Sequence, residues 1–170
     1  MCYNTIRLEG KMRRFLCIIL FLFTNLHSAY AGEARFSGNP IPRFVSIAKT
    51  PANTRVGPDI NYPVKFVYQS KYTPVRVVNE YFGWYQVEDI NGDLSWIHKN
   101  SIGKPNYVMT LHDGTKLYQK KKLTSKVIAK VDKGTTFKVL KCSSGFCKVE
   151  TTFNGTLFTG YLIQDNLWGI

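Results

Sequence analysis

The chain has 170 residues, with 23 basic residues against 11 acidic ones and a formal net charge of +12. That length holds one ordinary domain or two small ones and excludes a large multidomain assembly. The positive balance points toward anionic surfaces such as phospholipid headgroups, lipopolysaccharide or acidic wall polymer, with plain solubility as the alternative.

The N-terminus reads as a secretory signal peptide over residues 1–31. Lys11, Arg13 and Arg14 form a basic region, residues 15–23 are an unbroken apolar run, and Ala29-Tyr30-Ala31 supplies a small-residue cleavage site that leaves Gly32 first. Nine to twelve apolar residues are too few to cross about 30 Å of hydrocarbon, so no transmembrane span is expected after processing. Met12 is a second candidate start. Cys17 is not a lipoprotein cysteine, because Leu16 precedes it and six more apolar residues follow. The processed chain would keep 139 residues, 19 basic and 10 acidic, for a net charge of +9. A periplasmic location is expected, with secretion beyond it as the alternative. An exported chain is not expected to meet nucleic acid.

Residues 32–42, with their Gly, Asn and two Pro, read as an extended lead-in. From residue 43 the pattern is β: short runs of Val, Ile, Tyr, Phe and Thr broken every 8–12 residues by turn formers. Residues 64–68 form one run. Residues 74–81 form another, with Val75, Val77 and, by the same period, Asn79 on one face. After a tight turn at Phe82-Gly83, residues 84–90 lead to Asn91-Gly92, a strong two-residue hairpin signal, and residues 94–98 return. No helix of ten or more residues is expected in the processed chain.

The pattern then repeats. Gly83-Trp84-Tyr85-Gln86-Val87 aligns with Gly145-Phe146-Cys147-Lys148-Val149, and Val75-Arg76-Val77-Val78 with Phe137-Lys138-Val139-Leu140, both at an offset of 62. Asn91-Gly92 corresponds to Asn154-Gly155. Ser95-Trp96-Ile97 corresponds to Gly160-Tyr161-Leu162, with about three residues added in the second hairpin. Four matches in order predict a duplication, with residues 43–101 as one unit, 106–170 as the other and a boundary near Ser101-Ile102-Gly103-Lys104-Pro105. Units of this size bury little surface alone. Residues 137–140 and 148–152 read as strands around a Ser143-Ser144-Gly145 turn, which sets Cys142 opposite Cys147. In an oxidising compartment such a pair is expected to form a disulfide.

Chemistry-bearing constellations are sparse. His98 and His112 stand at strand ends without metal-ligand spacing, Glu88, Asp89 and Asp93 cluster at a hairpin, and no Gly-rich phosphate loop occurs. No enzymatic activity, metal or cofactor is expected.

Asn53-Thr54-Arg55-Val56-Gly57-Pro58, Tyr62-Pro63-Val64, Trp84-Tyr85-Gln86-Val87, Gly92 and Ser95-Trp96-Ile97 together resemble the bacterial SH3-like domain, strongly over residues 43–100 and weakly over 107–168. The pattern is similar to that of exported tandem two-domain proteins of alphaproteobacteria. Thr54 stands where an apolar residue is usual and Ser95 where Gly is usual. In the second unit Tyr118 replaces the arginine and Tyr161 the closing tryptophan. The resemblance implies an all-β fold, two small SH3-like β-barrels in tandem, and a non-catalytic module that binds cell-wall peptide, peptidoglycan or an envelope protein. A scaffold with no wall affinity is the alternative.

Candidate ligand-binding residues are Arg55, Tyr62, Tyr68, Tyr85 and Trp96, with Tyr72 and Tyr81 as further phenols that could line a groove. Arg55 has two readings: it holds a loop through backbone carbonyls, or it meets a ligand carboxylate. Trp84 and Trp96 likewise either fill a small core or line a shallow peptide groove. Lys120-Lys121-Lys122 is a solvated run or a contact for an anionic surface.

Overall fold

The computed structural model describes residues 37–170. The predicted leader, its cleavage point and Cys2 and Cys17 lie outside the described residues. The described residues belong to one compact unit, built from two seven-stranded antiparallel sheets. Among the described residues no helix is long and apolar enough to cross a membrane.

The first sheet contains β1 (Arg43–Ile47), β2 (Ala52–Arg55), β3 (Val64–Tyr68), β4 (Pro74–Tyr81), β5 (Trp84–Glu88), β6 (Leu94–His98) and β7 (Ile102–Gly103), with a single 3-10 turn at Lys99–Ser101. The second contains β8 (Tyr107–Thr110), β9 (Thr115–Tyr118), β10 (Val127–Val131), β11 (Thr136–Ser143), β12 (Phe146–Phe153), β13 (Thr156–Ile163) and β14 (Leu167–Trp168), with a 3-10 turn at Gln164–Asn166. Their spatial orders are β3-β2-β6-β5-β4-β1-β7 and β10-β9-β13-β12-β11-β8-β14, which is the same order twice. In each sheet the ladder runs from one end strand to the other with no pairing between the ends, so neither sheet closes by hydrogen bonds into the barrel expected from sequence.

The duplication extends to an irregularity. The β4–β5 register shifts between Val77 and Asn79, and the β11–β12 register shifts between Val139 and Lys141. These are bulges 62 residues apart. A bulge sets two residues against one and reverses the facing of the residues beyond it. Asn79 therefore pairs with Gln86 rather than continuing the buried series of Val75 and Val77, which corrects the simple period-two reading. The pairing Trp84↔His98 matches Phe146↔Ile163. The offset has thus grown from 62 to 65, which places the three added residues in the β12–β13 hairpin.

The hairpin connections differ accordingly. In the second sheet Phe153 pairs with Thr156 across Asn154 and Gly155, both at positive φ, a two-residue turn whose twist suits the strands. In the first sheet Asn91-Gly92 is not a two-residue turn. Glu88 pairs with Leu94, and the connection 89–93 is organised by Asp89, whose Oδ1 accepts from the amides of Asn91 at 2.8 Å and Asp93 at 2.9 Å. Competition from that Asx side chain wins over the Asn-Gly preference.

Alternate residues of each strand build two cores. Val45, Ile47, Ala52, Val75, Val77, Tyr85, Val87 and Ile97 pack in the first, and Val108, Leu117, Phe137, Cys147, Val149, Leu162 and Leu167 in the second. The sheets are joined by aromatic contacts. Tyr72 stacks on Tyr107 at 4.2 Å. Trp168 donates its indole N–H to the Pro74 carbonyl, meets Phe44 edge-on and lies under the Arg76 guanidinium. Cys142 and Cys147 pair in register at the closed end of β11–β12 and are joined by a disulfide.

Gly160 records how the two cores diverged. A Cβ there would sit 2.7 Å from Leu117 Cγ and 2.9 Å from the Tyr118 carbonyl. The matching residue in the first sheet is buried Ser95, and the residue matching Leu117 is Thr54. A larger side chain on one strand is thus offset by a smaller one on the next. Gly160→Ser is expected to cost about 1–3 kcal/mol by overpacking. In a chemical-denaturation double-mutant cycle with Leu117→Thr, the pair should cost less than the sum of the singles. Simple additivity would show that the two sites do not exchange volume.

Candidate functional site

In an antiparallel sheet, residues directly opposite one another share a face. The first sheet therefore presents one transverse row of side chains: Asn79 on β4, Gln86 on β5, Trp96 on β6, Arg55 on β2 and Val64 on β3. Along β5 and β6 the buried residues are Tyr85, Val87, Ser95 and Ile97, while Trp84, Gln86, Trp96 and His98 between them are only half-buried. Both tryptophans face outward. The core reading of Trp84 and Trp96 is thereby replaced, because the parity of each strand is set by its smaller aliphatic residues. Trp84 meets His98 edge-to-face with ring centroids 5.3 Å apart, and His98 follows Trp96 by two residues on the same face.

The connection 56–63 borders this surface and is held rigid locally. The Val56 amide donates to the Pro63 carbonyl at 3.1 Å, and the Tyr62 amide to the Asp59 carbonyl at 3.2 Å. The Asn61 amide donates to Asp59 Oδ1 at 2.9 Å. Tyr62 lies directly on Gly57, where any Cβ would stand 2.7 Å from three ring atoms. Glycine is required there by close approach. Arg55 Nη1 donates to the Tyr62 carbonyl at 2.6 Å, the loop-holding role among its two readings. Between this loop and the sheet lies a cavity of about 480 Å³ lined by Asp59, Ile60, Trp84 and His98. Ile60 is 63% exposed and Tyr62 46% exposed. Two aromatic rings, an exposed aliphatic residue and one carboxylate suit an extended peptide that carries an apolar or cationic side chain.

The five candidates named from sequence do not all meet here. Arg55, Tyr62 and Trp96 belong to this outer surface. Tyr85 lies on the opposite face, buried against the first core beneath the Arg43 guanidinium at 5.1 Å; it is a packing residue with one edge on a separate groove. Tyr68 stands at the far end of β3, packed against the core. Burial, reinforced by the charges of Asp89 and then Asp93, pushes its hydroxyl up to about 12. Tyr72 is taken up by its stack on Tyr107, and Tyr81 packs edge-on to Phe82 at 4.7 Å. Asp59, Ile60 and His98 were not legible as site residues. The one available signal was alternation along Trp96-Ile97-His98, which puts the imidazole beside the indole.

A larger groove of about 1080 Å³ runs past Arg43, Phe44, Arg76, Tyr85, Lys99 and Lys104. Two of its four cations are engaged, Arg43 with Glu80 and Arg76 with Glu88. Among the described residues no group of three or more His, Cys, Asp and Glu side chains could hold a metal ion.

Residues 48–104 and residues 113–167 each match a family model described as bacterial SH3 domain. The search of curated proteins found no match. Among solved structures the chain is similar to NlpC1 and NlpC2 from Trichomonas vaginalis, at 16% identity and a TM-score of 0.31 in each case. The alignments cover 77% and 75% of this chain but 47% and 48% of those proteins, so the chain spans about half their length. A fold repeated down to its bulge, and two family matches in the same order, make this chain a member of the bacterial SH3 domain family with two such domains in tandem.

Proposed function

We propose that the chain is an exported, non-catalytic binding protein that acts in the periplasm, and that its first domain grips cell-wall peptide or an envelope protein segment. The observation that carries this reading is the outward placement of Trp84, Trp96 and His98 beside an open cavity bordered by Asp59 and Ile60. Tryptophans left half-exposed on a sheet that has room for aliphatic residues are the kind of anchor that dominates binding energy. Rigid loop geometry lowers the ordering cost of capture. Sedimentation with isolated peptidoglycan tests it. Trp96→Ala is expected to lower the affinity by about tenfold or more while leaving the thermal melt near that of the parent, since Trp96 is outside the core. Unchanged sedimentation of the folded variant would overturn the groove assignment.

A second reading, a scaffold without wall affinity, is favoured by β3. This end strand has no pairing on its outer side and exposes Val64, Phe66 and Val67, an edge on which a partner strand can add. Periplasmic cross-linking distinguishes the two. Recovery of one protein partner through β3, with empty peptidoglycan pull-downs, would select the scaffold.

A further inference from the structure

The second sheet carries the same transverse row as the first, with different chemistry. Lys141 on β11, Lys148 on β12, Tyr161 on β13, Tyr118 on β9 and Val127 on β10 pair in sequence. They stand where Asn79, Gln86, Trp96, Arg55 and Val64 stand in the first sheet. Two neutral amides have become two exposed lysines directly opposite each other. Like charges so placed destabilise a sheet, and no ion pair among the described residues relieves either one. The acid nearest along β12, Glu150, is engaged by Lys138 at 2.8 Å.

The connection 119–126 adds to this charge. It holds Lys120, Lys121, Lys122 and Lys126 and no acid, whereas the matching connection 56–63 holds Asp59 and no base. Lys121 Nζ donates to Ser143 Oγ at 2.8 Å, which draws the loop to the turn two residues beyond Lys141. Leucines are exposed among these lysines: Leu123 at 64% and Leu140, beside Lys141, at 43%.

We propose that this face of the second domain is a docking surface for a membrane bearing anionic headgroups. Lysine ammonium groups are mobile point charges without the planar fork that selects single phosphates. Several together attract a diffuse negative surface. A soluble polyanion would gain nothing from the exposed leucines, whereas a bilayer can take apolar side chains into its headgroup boundary. The surface is separate from the aromatic face of the first domain and does not depend on what that face binds.

Vesicle partitioning of the full chain tests it, with phosphatidylglycerol mixed into phosphatidylcholine in one arm and phosphatidylcholine alone in the other. Lys141→Gln with Lys148→Gln is expected to weaken binding to the anionic vesicles by about thirtyfold, roughly fivefold for each charge. It should leave the neutral-vesicle arm, which carries no net headgroup charge, unchanged. Because the substitutions remove a like-charge contact, the variant should melt no lower than the parent. Leu123→Ser should weaken the anionic arm several-fold while its salt dependence persists. Undiminished binding by the lysine variant would overturn the proposal. So would binding to soluble polyglutamate as tight as to the vesicles and indifferent to Leu123→Ser, an outcome that would assign the face to an acidic polymer.

Discussion

Glu80→Ala is expected to destabilise the first domain by about 3–5 kcal/mol, the cost of breaking a buried charge pair from one side. The Glu80 side chain is 1% exposed and faces Arg43 Nη1 at 2.5 Å, with Arg43 itself 17% exposed. It also accepts from the Ser37 hydroxyl at 2.7 Å and the Ser37 amide at 3.1 Å. Arg43 in turn covers the Tyr85 ring, so the carboxylate is the centre of a polar knot that ties the lead-in segment to β4 and β5. Truncation would leave a cation over an apolar ring with no counter-charge, and a fall in melting temperature on the order of 10 °C is expected. The same knot gives stability an acid limb. Burial pushes the Glu80 carboxyl upward, but hydrogen bonds from Ser37 and Arg43 outweigh it and hold the group below its ordinary value of 4.5. A carboxyl lowered by folding contributes stability that is complete above that ordinary value and is lost as pH falls through the lowered one. The gap in melting temperature between the parent and Glu80→Gln should therefore be constant from neutral pH down to about 5 and shrink below that. Parallel profiles at every pH would remove Glu80 from the acid response.

Much of this architecture can be read from residue order. Alternation marks the strands, Phe82-Gly83, Ser144-Gly145 and Asn154-Gly155 supply two-residue turns, and the offset of 62 exposes the repeat. The facing of particular residues is harder to read. Asn79 changes face at a bulge that no residue in Val77-Val78-Asn79 announces. Trp84 and Trp96 were open between core and groove because large aromatic rings serve equally to fill a small core or to line a peptide groove; strand parity decides between them. Parity prevailed, since Val87 and Ile97 on the same two strands are fully buried. Asp89 converted the Asn91-Gly92 connection into a longer turn through local hydrogen bonds. Closure of each sheet into a barrel was implied by the family resemblance, whereas the pairing is linear. The knot around Glu80 was invisible for a different reason. Its partners Arg43 and Ser37 lie 37 and 43 residues away, and an acid between Asn79 and Tyr81 on an otherwise half-polar strand gives no hint that it points inward. For the candidate surface, sequence singled out Arg55, Tyr62 and Trp96 together with Tyr68 and Tyr85, which pack against the first core instead, and only the register set the first three near His98, Ile60 and Asp59.

Reduction of the Cys142–Cys147 bond is expected to cost the second domain about 2 kcal/mol, the loop-closure entropy of so short a ring. Cys147→Ser should cost more than Cys142→Ser, because Cys147 is fully buried in the core and its hydroxyl replacement would need a partner there. Denaturant titrations with and without reductant measure both. Equal effects from the two serine variants would contradict the packing role of Cys147. The position of the bond sharpens the prediction. Cys142 pairs with Cys147 where Glu80 pairs with Tyr85 in the first sheet. The two domains fasten one corner of one fold by different chemistry, an ion-paired knot in the first and a covalent link in the second. Acid and reductant should therefore loosen different halves of the chain. Amide exchange at low pH should rise first along β4 and β5, and exchange at neutral pH with reductant first along β11 and β12. If both treatments opened the same strands, the two corners would not be independent, and the aromatic contacts of Trp168 and Tyr107 would be coupling the domains into one cooperative unit.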